Sequence, residues 1–155
     1  TCLGRSQGAR PTDARPFPWS PIGDFGDWLQ GATARGVAVG LDQHTARTAA
    51  LRFGSGVEAL HARIARRPEL AARLDPALPF CRAEVVHAVE EEMARTLHDV
   101  LRRRIPLTLL TRPDARVVSD AAALAGAALE WTPQRRHEEV AGVLRAAHVQ
   151  TRAHP

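Results

Sequence analysis

From Cys81 to Arg104 the chain reads CRAEVVHAVEEEMARTLHDVLRRR, with no glycine or proline to interrupt it. Val85, Val86, Val89, Met93, Leu97, Val100 and Leu101 recur at steps of three and four, which is one apolar stripe on a 3.6-residue helix. The spacing predicts a single central helix over 81–104. About 22 residues at 1.5 Å each would span about 33 Å, the width of a small domain. Glu91 with Arg95, and Asp99 with Arg103, are acid-to-base pairs at i,i+4, contributing about 0.3 kcal/mol each on a solvated face. Arg102, Arg103 and Arg104 suit the negative end of a helix dipole. Ile105 precedes Pro106 and is biased away from helix, so the element is expected to stop near Arg104.

A helix of that length needs a core to pack on, and 45% apolar residues in 155 supply one for a single domain. Aromatics are only 5% and Tyr is absent, so the core is expected to be Leu, Val and Ala. All 21 basic residues are arginine, a compositional bias that inflates the pI of 10.7, while the formal charge is only +4. A nucleic-acid partner is therefore weakly motivated. Cys2 and Cys81 make no disulfide framework, which points to a reducing, cytoplasmic compartment. No apolar run reaches the about 18 residues that cross a bilayer, and no secretory signal is recognised. The first residues, TCLGR, do not include an initiator Met, so a fragment or processed form is expected.

Residues 1–23, with Pro11, Pro16, Pro18 and Pro21, read as an extended linker whose Phe17, Trp19 and Ile22 anchor it to a surface, its own or a neighbour's. The domain proper is placed at 24–150, with a tail at 151–155. Helices are predicted over 25–34 with Asp24 as N-cap and Gly36 as terminator, then over 43–53 behind Asp42. Ser55 and Glu58 have capping-box spacing for a helix reaching about Arg66. Further helices are predicted over 68–74, over 107–110, over 120–131 behind Ser119, and from Pro133 to about Val149 behind Thr132. A loop is expected over 111–116. No period-2 segment stands out, so the fold class is all-α: a compact helical domain around one long central helix, with an extended N-terminal arm.

Chemical motifs are few. Gly54-Ser55-Gly56-Val57-Glu58-Ala59 matches G-x-G-x-x-A, but the dinucleotide fingerprint needs a strand before it and the preceding residues read as helix. A helix–turn–helix corner is the better reading. Glu84 and His87 form one E-x-x-H step, whereas a di-iron bundle needs two such helices and two more carboxylates. The remaining histidines lack zinc-site spacing, and no local nucleophile signature appears. Arg66-Arg67, Arg102–Arg104 and Arg135-Arg136 have two readings, a basic patch for phosphate or anionic lipid and, the preferred one, a solvated face with helix C-terminal charge; no stacking platform for single-stranded nucleic acid lies beside them.

Three segments together carry a family resemblance. Ala83-Glu84, Val85-Val86, Glu91-Glu92-Met93-Ala94-Arg95, Asp99-Val100-Leu101 and Arg103-Arg104 form one run. Ala50-Leu51-Arg52-Phe53-Gly54-Ser55 forms a corner, and Ala128-Leu129-Glu130-Trp131 with Arg135-Arg136 and Glu138-Glu139-Val140 a closing pair. These resemble the C-terminal helical domain of FAD-dependent glycerol-3-phosphate dehydrogenase, over roughly 16–147. Ile105-Pro106 departs from the family pattern, which more often keeps Thr and another helical turn. The resemblance implies a parent enzyme that oxidises sn-glycerol 3-phosphate to dihydroxyacetone phosphate through FAD, with electrons passing to a quinone. It implies no catalytic, cofactor-binding or metal residue in this chain. The expected partners are a preceding FAD-binding catalytic domain of the same polypeptide, a second copy, and the inner face of the cytoplasmic membrane. Glu84, Arg95, Asp99, Arg103 and Arg104 are the candidate domain- or partner-contact residues. The rival readings are a free-standing basic nucleic-acid-binding module and a protein adaptor.

Overall fold

A computed structural model describes Phe17 and residues 19–152. The described residues form α1 (Phe25–Ala38), α2 (Gln43–Phe53), α3 (Val57–Arg66), α4 (Arg82–Glu90), a π-helical segment (Asp99–Arg104), α5 (Leu107–Leu110), α6 (Ala115–Ala128) and α7 (Pro133–Arg152). The all-α class stands. The cysteine of the central stretch, Cys81, is a free buried thiol, and Cys2 lies outside the described residues.

The long central helix does not form. α4 ends at Glu90, the chain turns through 91–96, and Met93 takes φ 60°. Two sets of contacts break the rod. Arg63 of α3 draws aside the carboxylates of Glu90 and Glu91, the latter at 3.5 Å. Thr96 and Asp99 then cap a new helical start reciprocally: Thr96 N–H donates to Asp99 Oδ2 at 3.2 Å, and Asp99 N–H to Thr96 Oγ1 at 3.0 Å. Met93 is consequently 75% exposed rather than central. The restart winds as π-helix and closes with Ile105 N–H donating to Val100 O at 2.8 Å, so the expected stop at Arg104 holds.

What replaces the rod is a short helix walled in on every side. Ala83 through Val89 are all buried. Val85, Ala88 and Val89 face a core completed by Leu97, Val100, Leu101, Ile105 and the α6 residues Val118, Ala121, Ala122 and Ala125. Ala83 and Val86 face the other core, where Leu60 and Ile64 of α3 meet Ala46, Ala49 and Ala50 of α2. α4 is thus the partition between two apolar clusters, and its burial takes the charged Glu84 and the polar His87 inside with the apolar residues.

Elsewhere local caps and distant contacts share the decision. Asp24 and Asp42 cap α1 and α2 as expected, each accepting the N–H three residues on. α1 continues past Ala34 because Gly36 provides room instead of a stop. A Cβ there would lie 2.8 Å from Ala46 Cβ and 2.9 Å from His61 Nε2, so its absence lets α1 press on α2 and α3. The Ser55–Glu58 capping box is not made: Gly54–Gly56 is a 3₁₀ turn, and Glu58 instead accepts Arg35 Nη2 at 2.7 Å. Residues 68–74 give only a 3₁₀ turn, Pro68–Ala71, because Leu74 N–H is committed to Phe80 O at 2.8 Å. α6 starts at Ala115 behind Asp114, not behind Ser119. It ends at Ala128, where Glu130 turns to φ 54° and Trp131 folds back over Gly126. Thr132 caps α7 by accepting Arg135 N–H at 3.1 Å.

Candidate functional site

The E-x-x-H step on α4 lies inside the domain. The Glu84 side chain is fully buried and accepts Arg52 Nη2 from α2, while its other oxygen accepts Cys81 N–H at 2.9 Å. The Arg52 guanidinium lies 4.5 Å over the Phe80 ring and 5.3 Å from the Phe53 centroid. One turn on, His87 meets the edge of Phe53 at 5.0 Å. Burial pushes the Glu84 carboxyl up, against the opposing pull of Arg52 and the Cys81 N–H. Burial likewise pushes the His87 imidazole down and the Cys81 thiol far above the usual thiol range. Both Glu84 oxygens are taken, so the step is a strut between α2 and α4. The structure therefore joins two segments of the resemblance, the Arg52 corner and the Glu84 run.

The glycine corner adjoins this strut. α2 leads directly into Gly54, which adopts φ 54° and ψ −140°, a region open to glycine. A Cβ at Gly54 would overlap the Trp19 carbonyl oxygen, and Ser55 N–H donates to that oxygen at 2.9 Å. Because a helix precedes the glycines and a backbone carbonyl fills the space above them, GSGVEA does not fit a flavin or nicotinamide pyrophosphate. The corner grips the incoming chain instead.

Arg95, Asp99, Arg103 and Arg104 gather around the 91–96 turn, away from Glu84 in the interior. Asp99 accepts Thr96 Oγ1 at 2.8 Å and Arg103 Nη1 at 3.0 Å, and the Thr96 hydroxyl above all holds its carboxyl below the usual range. Arg104 Nη2 donates to Glu92 O at 2.8 Å, with Nε 3.7 Å from the Glu92 carboxylate. Arg95 is exposed, and its expected pairing with Glu91 is not made, since Glu91 turns toward Arg63. Other arginine clusters are similarly engaged: Arg67 with Glu69 at 3.0 Å and Arg135 with Glu139 at 2.6 Å. Arg52 stands in the resemblance corner and Arg63 in no motif, and neither shows its pairing locally, because Glu84 and Glu90 lie 32 and 27 positions on. The Thr96–Asp99 box is local and its spacing visible, yet it is absent from the expected helix starts. Among the described residues no group of three or more His, Cys, Asp or Glu could hold a metal ion, and no helix is long and apolar enough to cross a membrane.

The chain is 37% identical over 71 residues to a glycerol-3-phosphate dehydrogenase of Synechocystis sp.. That alignment takes in 46% of this chain but 13% of the relative, so the chain spans a small part of that protein's length. No solved structure matches significantly. The family model described as the C-terminal domain of alpha-glycerophosphate oxidase matches residues 23–136, from the glycine before the α1 cap through the Gly54 corner and the Arg52–Glu84 strut into α7, and the chain belongs to that family.

Proposed function

We propose that this chain is the non-catalytic C-terminal domain of a flavin-dependent glycerol-3-phosphate dehydrogenase. The parent oxidises sn-glycerol 3-phosphate to dihydroxyacetone phosphate, with electrons passing through FAD to a quinone. The observation that carries this reading is the family match over 23–136. The dehydrogenase relative supports it. FAD and substrate belong to a domain preceding this one in the same polypeptide, and the helical domain, placed at 24–150, packs upon it. Arg95, Arg103 and Arg104 are the outward-facing contact residues, with Asp99 holding Arg103, while Glu84 acts from within by setting the α2–α4 geometry. A second copy and the inner face of the cytoplasmic membrane complete the proposed contacts. The test is the polypeptide that ends in this domain. It is expected to be yellow and to bleach anaerobically with sn-glycerol 3-phosphate; a colourless protein, or a flavin indifferent to that substrate, refutes the reading.

A further inference from the structure

The arm that enters the domain shows its large side chains to the outside. Phe17 is 61% exposed, Trp19 59%, Ile22 95% and Phe25 53%, four of the nine exposed large apolar residues described. They fall within nine consecutive positions, unlike singly scattered surface apolar residues. The backbone beneath them is held. Ser20 N–H donates to Phe17 O at 2.8 Å, and the Trp19 carbonyl sits in the Gly54 corner, bonded to Ser55 N–H. Phe17 and Trp19 stack on each other at 5.2 Å. The domain grips the main chain and turns the rings outward. The patch runs into a groove of about 750 Å³ between α1 and α2, lined by Phe25, Leu29, Thr33, Val37 and Arg47.

Place in the polypeptide and charge name the occupant. The family model begins at residue 23, so the patch straddles the seam between the matched domain and the arm leading into it. Residues 17–28 hold Asp24 and Asp27 and no basic residue, and Arg47 stands on the α2 wall of the groove beyond them. A second copy docking on the 17–28 stretch by a two-fold axis would bring its two acidic stretches together. A basic-rimmed apolar face suits them. We propose that the Phe17–Trp19–Ile22–Phe25 patch, held in place by the Gly54 corner, is the docking surface for the folded domain that precedes this one in the same polypeptide. This rests on the functional reading above for the existence of that domain.

The test uses Ile22→Glu, with Phe17→Ser as a second variant, in the long polypeptide and in the 155-residue chain. Limited proteolysis of the arm is expected to run about tenfold faster in the long polypeptide, because cleavage follows the population of the opened seam. The Tm of the shorter chain is expected to stay unchanged. Unaltered cleavage in the long polypeptide overturns the proposal. So does an equal loss of stability in the shorter chain, which would make the patch part of this domain's own packing. A shorter chain that is dimeric until Ile22→Glu makes it monomeric overturns it in favour of a second copy. Flavin absorbance of the same preparation reads the functional proposal separately: a colourless polypeptide that still shields its arm removes the flavin and leaves the seam.

Discussion

Glu84→Ala attacks the strut that ties α2 to α4. The substitution strands the Arg52 guanidinium, leaves Cys81 N–H without its acceptor and opens a small void at a fully buried position. Breaking a buried pair by removing one partner costs about 3–5 kcal/mol. The Arg52 side chain keeps 24% exposure and can partly rehydrate, which points to the lower end, about 3 kcal/mol. At about 3 °C of Tm per kcal/mol for a chain of this size, the melt should fall by about 10 °C. Arg52→Ala should cost a comparable amount at neutral pH, yet it should behave differently in acid. Burial raises the Glu84 carboxyl above its unfolded value, and losing Arg52 raises it further. A raised acid favours the folded state below its unfolded pKa and loses that advantage as pH rises. The Arg52→Ala deficit should therefore shrink toward pH 5, while the Glu84→Ala deficit should not. Thermal melts of both variants and the double variant, at neutral pH and in acid, give the coupling. A Glu84→Ala melt within about 1 kcal/mol of the parent refutes the reasoning.

Val89, in the core, should not tolerate Asp: a carboxylate among Leu97, Val100 and Val118 costs several kcal/mol, so Val89→Asp should be insoluble or unfolded, whereas Glu92→Ala should shift stability by less than about 1 kcal/mol in circular-dichroism melts. Met93 sits exposed at φ 60°, so Met93→Gly should melt at or above the parent and Met93→Val below it; the reverse order would mean the turn carries no strain. His61 and His87 are held below their ordinary 6.5 chiefly by burial, so their stabilising contribution is whole above pH 6.5 and lost as pH falls toward the folded values; Tm should drop between neutral pH and pH 5, and a flat profile would count against this. DNA binding should be weak, unselective and gone at physiological salt, and a sequence-selective complex surviving there would reinstate the nucleic-acid reading.

Elements whose ends are set by neighbours in sequence were legible before the structure: Asp42 before α2, Thr132 and Pro133 before α7, Pro106 before α5. Elements set by distant partners were not. Periodicity carries the apolar pattern straight through Glu90–Met93, and nothing local reports that Arg63 will draw Glu90 and Glu91 away. Gly36 reads as a terminator, and only the approach of Ala46 and His61 turns it into a packing notch. Likewise Glu84 stood out through its family run and beside His87, but its meaning depends on Arg52, 32 positions earlier.

The central claim is that flavin chemistry lies outside this domain, in the polypeptide that carries it. The most direct measurement sets the 155-residue chain beside the long polypeptide, each with FAD, sn-glycerol 3-phosphate and a quinone analogue, and follows dihydroxyacetone phosphate. Product is predicted from the long polypeptide and none above background from the shorter chain. Product from the shorter chain, or none from either, contradicts the account.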